Sequence, residues 1–284
     1  MTSALDQLVD LLDLEPIEDN VFRGKCANDD RQRVFGGHVA GQALVAAGRT
    51  VDPQRTVHSL HAYFLLPGDP ALPILYEVDR IRDGGSFTTR RVVAIQHGRP
   101  IFNMAASFHR DEPGVDHSAS APAVPRPEDL PTFKERLEPF AAQLGKWYTE
   151  PRPLDMRFLD TPSIDTSRDD APAAQQLWFR AEGELPHDPL LHACIVTYAS
   201  DLTLLDSVLL PHQLSWYQSD VAGASLDHAM WFHRPFRADD WILYDQESPS
   251  AHGARGFARG SMYSSDGGLI VSVAQEGLVR VRRR

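Results

Sequence analysis

An acid within an apolar row is the feature that points most directly to chemistry. Leu190, Cys194, Thr197, Asp201 and Leu204 follow a 4-3-4-3 spacing, which puts them on one stripe of an α-helix. Asp188 can cap that helix and Pro189 suits its first turn, so the pattern predicts a helix from there to about Leu205. Asp201 would face the core near the helix C-terminus, where burial and the helix dipole both raise a carboxyl pKa. That suits a general base; the alternative is a buried acid satisfied by hydrogen bonds. Asp206 falls well round the helix and is expected in solvent.

Gln275 is a second anomaly. Leu269, Val271, Val273 and Gln275 alternate onto one face of a strand if no bulge intervenes. An amide then ends an apolar row, unless it is a strand-end glutamine facing solvent. Ser225 opens the strand that follows the acid-bearing helix; read alone, it is a turn serine.

Other chemistries lack their signatures. Gly36-Gly37-x-x-x-Gly41 has no Gly-Lys-Ser/Thr after it and no βαβ context, and no Gly-x-Ser-x-Gly elbow occurs. Among 12 histidines, His58 and His61 stand in a strand, and His228 and His233 fall on opposite strand faces. They read as core or surface residues, and no cofactor or metal is expected.

The elements that must position these residues form two similar blocks. Leucines 5, 8, 11, 12 and 14 predict a short amphipathic helix over 3–14. Residues 36–50 are nearly all small or apolar, as in a central helix buried on every side, with glycines tolerated for close packing. Strands are expected at 57–66, 74–81, 87–95 and 101–108, separated by glycine-bearing turns. A Pro-, Ser- and acid-rich stretch, 111–132, reads as loop or linker. The second helix then leads strands at about 225–236, 240–248, 254–264 and 268–282. Tyr63–Pro67 aligns with Trp231–Pro235 at an offset of 168, and the 98–106 strand with 267–275 at an offset of 169. A near-constant offset through two strands indicates duplication. The fold class is α+β, two units each wrapping a helix in an antiparallel sheet, with the sheets free to join edge to edge.

Composition limits the partners. With 28 basic and 39 acidic residues in 284, the net charge is −11, which gives no general attraction to nucleic acid or anionic membranes. The tail Arg280-Val281-Arg282-Arg283-Arg284 is the exception, read as a solvated frayed end or as a contact for a polyanion. Cys26 and Cys194, the only two cysteines, fit a reducing compartment. The acidic N-terminus, the absence of a 20-residue apolar run and an end at Arg284 unlike Ser-Lys-Leu lead us to expect a cytoplasmic protein without membrane insertion.

Longer motifs now carry a resemblance. Val34-Phe-Gly-Gly-His-Val-Ala-Gly-Gln42, His58-Ser-Leu-His-Ala-Tyr-Phe-Leu-Leu-Pro-Gly68, Arg82-Asp-Gly-Gly-Ser-Phe-Thr-Thr-Arg-Arg91, Asp227-His-Ala-Met-Trp-Phe-His-Arg-Pro-Phe236 and Gln275-Glu-Gly277 resemble acyl-CoA thioesterase II over nearly the whole chain. The resemblance implies a double hot-dog fold: unit 1–110, linker 111–150, and unit 151–284 carrying the catalytic residues. It further implies an acyl-CoA substrate, hydrolysis of fatty acyl-CoA without cofactor, and a homo-oligomer (dimer or tetramer). The family's catalytic Asp, Thr or Ser, and Gln fall on Asp201, Ser225 and Gln275. His38 stands where the family usually has Gln, and Ser225 where many members have Thr. Two routes are open to this set: Asp201 activates water, or it attacks directly and forms an anhydride. A hot-dog enoyl-CoA hydratase and a non-catalytic acyl-CoA-binding protein are the alternative functions.

Overall fold

A computed structural model describes residues 2–27, 32–160 and 162–282. Arg283 and Arg284 of the basic tail lie outside the described residues. In chain order the first half comprises α1 (Ala4–Leu12), β1 (Glu15–Glu18), β2 (Val21–Gly24), α2 (Gly36–Gly48), β3 (Arg55–Phe64), β4 (Ile74–Asp83), β5 (Phe87–Gln96) and β6 (Arg99–Arg110). Short helices α3 (Phe133–Leu137), α4 (Ala141–Leu144) and α5 (Lys146–Thr149) follow. The second half comprises β7 (Leu154–Phe158), β8 (Ala174–Ala181), α6 (Pro189–Ser200), α7 (Asp206–Leu209), β9 (Val221–Ser225), β10 (Asp227–Phe232), β11 (Ile242–His252), β12 (Arg255–Ser264) and β13 (Leu269–Val281).

All 13 strands form one sheet, ordered β1-β2-β4-β5-β6-β3-β10-β13-β12-β11-β8-β7, with β9 also on β13. The order reads the same from both ends about the β3–β10 seam, as two copies joined edge to edge require. The hydrogen bonds repeat too. Leu65 N–H donates to Ile101 O at 2.9 Å, and His233 N–H to Ile270 O at 2.7 Å. Joining at the seam pairs the strand edge that each copy would otherwise expose.

Helices α2 and α6 lie antiparallel inside the wrap. A Cβ on Gly37 would stand 2.5 Å from Tyr198 O, one on Gly41 3.3 Å from Cys194 O, and one on Gly48 2.5 Å from Leu190. The helix-weakening glycines therefore form the contact surface that brings the two backbones together. The main core surrounds this pair, with Leu44, Leu60, Met104, Ile195, Met230 and Val271 essentially solvent-free. α1 adds Leu5, Leu8 and Leu12 and is capped by a reciprocal Ser3–Asp6 box.

Several expectations need correction. The second helix stops at Ser200 instead of continuing to Leu205; Leu202 N–H already bonds the Ala199 carbonyl in a tighter turn. Asp201 is thus the C-cap, and α6 is buried almost all round, so its apolar stripe marks no single face. The strand expected from Ser225 is two strands that break at Leu226. The last strand has a bulge, because Met262 pairs with Val271 but Tyr263 with Leu269. Leu269 therefore packs with Trp178 and Tyr263 on the opposite face. The C-terminal tail is not frayed as far as it is described, since Arg282 N–H bonds Asp220 O at 2.8 Å.

Candidate active site

Three elements of the second copy deliver Asp201, Ser225 and Gln275 to one point. The C-cap of α6 turns the Asp201 carboxyl away from its helix. Ser225 ends β9, opposite Gly277 of β13, and Gln275 lies two residues earlier on β13. Gln275 Nε2 donates to Asp201 Oδ1 at 2.6 Å, and Ser225 Oγ donates to the same oxygen at 3.3 Å. The three residues chosen from sequence are thus brought together by the fold.

The first copy closes the site from the other side. The N-terminus of α2 has no side-chain cap, leaving its first N–H groups without helical partners. The Gly37 backbone N–H, in that first turn, favours the charged form of the Asp201 carboxylate. A Cβ on Gly36 would lie 2.6 Å from Asp201 Oδ2, so only glycine lets the helix end approach this closely. Burial raises the Asp201 pKa, opposed by His228 and by the bonds from Gln275, Ser225 and Gly37. The helix-dipole expectation is thus reversed in part: Asp201 caps the negative end of α6 but faces the positive end of α2.

The carboxylate opens on a cavity of about 610 Å³, a size typical of ligand sites. Val39, Phe64, Leu66, Ile101 and Phe102 of the first copy and Leu202, Leu205 and Ala224 of the second make its walls largely apolar. Arg33 adds a guanidinium, anchored on Gly223 O at 2.6 Å.

Asp206 is not in free solvent as expected. It is partly buried on the cavity wall, where Trp216 Nε1 donates to its Oδ1 at 2.7 Å and the Ser163 hydroxyl supplies a second bond. Burial raises its pKa to about 6. Gly223, one two-residue step along β9 from Ser225, leaves space for the Trp216 ring, which a Cβ would meet at 2.1 Å. His38 is buried on α2 outside this cavity, 3.1 Å from Lys25 O. His58 bonds Ser107 Oγ at 2.8 Å, and His61 meets Trp231 edge-to-face across the seam.

His228, which the sequence pattern reads as a core or surface residue, is 1% exposed. Its ring nevertheless lies close to Asp201 and Gln275: burial lowers its pKa, and both residues oppose this by favouring the protonated form. The available signal was its alternation with Met230 on β10. Nothing local in the sequence linked Gly36 or Gly37 to Asp201.

Comparison with known proteins accords with this geometry. A family described as acyl-CoA thioesterase matches residues 162–278, and one described as acyl-CoA thioesterase N-terminal domain matches 27–109. Human acyl-coenzyme A thioesterase 8 is 41% identical over 96% of this chain and 88% of its own length. Acyl-CoA thioesterase 2 of Haemophilus influenzae is 39% identical over 99% of both chains. The crystal structure of acyl-CoA thioesterase II TesB2 from Mycobacterium marinum superposes with a TM-score of 0.80 at 46% identity, covering 96% of this chain and 98% of that one. With a duplicated hot-dog sheet and relatives of this identity along its length, the chain belongs to the acyl-CoA thioesterase family.

Proposed function

We propose that the protein hydrolyses fatty acyl-CoA to free fatty acid and coenzyme A, with Asp201 taking a proton from a water held by Ser225 and Gln275. The observation that carries this reading is the convergence of both polar side chains on one carboxylate at the wall of an apolar cavity. A thioester carbonyl is electrophilic enough for water to attack once the water is oriented and relieved of a proton. Two donors restrain Oδ1, and the raised pKa makes the carboxylate a better base than an ordinary aspartate. The water oxygen bonds to the acyl carbon, the C–S bond breaks, and the proton taken by Asp201 passes to the departing thiolate. Gly36 N–H, at the uncapped start of α2 beside Asp201, is placed to donate to the developing oxyanion.

The apolar walls suit an alkyl chain, and Arg33 offers a charge for the phosphates of the coenzyme. The same reading makes the protein a cytoplasmic homo-oligomer of lipid metabolism. It is supported by the family resemblance, by Cys26 and Cys194 not being joined in a disulfide, and by His61, Tyr63 and Trp231 exposed on the outer face of the seam. A thiol-release assay with palmitoyl-CoA tests the reaction. Stoichiometric coenzyme A and palmitate are expected. With an enoyl-CoA, hydration without thiol release would contradict hydrolysis, as would binding of palmitoyl-CoA without turnover.

A further inference from the structure

Behind the catalytic set, two buried atoms lack partners among the described residues: Nδ1 of His228 and Oε1 of Gln275. They belong to neighbouring residues on adjacent strands, since the register that pairs Ala229 with Ala274 sets His228 across from Gln275. The other ring nitrogen, Nε2, is 2.8 Å from Ser200 Oγ, which is itself 2.8 Å from Thr197 O. A serine hydroxyl has one proton to give, so two arrangements exist. If Ser200 donates to Thr197 O, then His228 Nε2–H donates to Ser200, and a bare Nδ1 is left beside a bare Oε1. Two unpaired buried acceptors side by side are destabilising. If Ser200 donates to His228 Nε2, the ring proton sits on Nδ1, and a donor instead of a second lone pair is set beside Gln275 Oε1.

The second arrangement suits His228 and Gln275 at the expense of the Ser200 bond to Thr197 O, and it has a consequence for Gln275. An amide whose oxygen is claimed by Nδ1–H must present its nitrogen on the other side, where Asp201 Oδ1 is 2.6 Å away. A flipped amide would set oxygen against carboxylate and N–H against N–H. We propose that His228 is a positioning residue: in its Nδ1–H form it holds the Gln275 carbonyl and thereby aims Gln275 Nε2 at Asp201 and the attacking water. This rests on the reading of Gln275 as part of the catalytic set. Ser200, His228 and Gln275 then form one chain from α6 through β10 to β13.

The ring proton can be read directly in the full-length wild-type protein by ¹⁵N NMR of the histidine side chains. Nδ1 of His228 is expected to be protonated, with Nε2 carrying the lone pair. An Nε2–H ring would overturn the proposal without any variant being made. In kinetics with palmitoyl-CoA, His228→Leu should lower kcat roughly 10- to 100-fold, the scale of a misplaced catalytic group, with KM changed less than about threefold. His228→Asn, whose amide N–H can replace Nδ1–H, should recover most of that loss. A folded leucine variant at wild-type kcat, or an asparagine variant no better than leucine, would contradict it. Gln275→Ala at the wild-type rate would instead remove the catalytic reading of Gln275 itself, a failure distinct from a wrong ring tautomer.

Discussion

What surrounds Asp201 suits it to the base role proposed for it. Burial raises its pKa, while His228, Gln275, Ser225 and Gly37 oppose the rise by favouring the carboxylate. Asp206, five residues on, has fewer such partners, and its pKa reaches about 6. A carboxyl whose folded pKa lies above its ordinary 3.8 binds more protons folded than unfolded between those values. Its contribution to stability therefore falls as pH rises through that window and stays unfavourable above it, by up to about 3 kcal/mol. Asp206→Asn keeps an acceptor for Trp216 and removes the charge. The difference in thermal midpoint, variant minus wild type, should grow from pH 4 to pH 7 and then level off. A difference constant with pH would show that Asp206 does not titrate in this range.

At the scale of elements, the site depends on how closely α2 approaches α6. Gly37→Ala would press a methyl to within 2.5 Å of Tyr198 O, forcing the helices apart and drawing Gly37 N–H away from Asp201. Overpacking of this kind costs about 1–3 kcal/mol. Urea denaturation should show that loss, with turnover reduced in the folded variant; unchanged stability and rate would mean the approach is looser than described. The sequence made α2 legible because small residues fill it, and β3 to β6 and β10 to β13 legible through alternation and glycine turns. β8 stayed hidden because it buries Gln175, which is bonded to Gln246 and breaks an apolar pattern. β1, β2 and β7 are four or five residues long, too short for periodicity to register. Asp201 was visible as an acid in an apolar row. Gln275 was ambiguous on alternation, and a bulge removed Leu269 from its row. Ser225 showed only through the resemblance. The Gly37 and His228 contacts join residues far apart in sequence, which no local pattern encodes.

For the whole molecule, duplication has produced a shared site. The second copy supplies Asp201, Ser225 and Gln275, while the first supplies the α2 N-terminus and the Phe64, Ile101 and Phe102 wall. The palindromic sheet places these parts together through the β3–β10 seam. Residues 151–284 expressed alone hold every side chain of the catalytic set, yet they lack Gly36, Gly37 and half the cavity. That half should release no thiol from palmitoyl-CoA, and co-expression with residues 1–150 should restore release. Turnover by 151–284 alone at the full-chain rate would contradict a site shared between copies.

The central claim is that Asp201 performs the proton transfer, and Asp201→Asn tests it most directly. Asparagine retains the shape and an acceptor for Gln275 but cannot take up a proton at neutral pH. Coenzyme A release from palmitoyl-CoA should fall by at least about 100-fold, the lower scale of general-base catalysis, in a variant that keeps the wild-type circular dichroism spectrum and still binds acyl-CoA. Release at the wild-type rate by that folded variant would contradict the account.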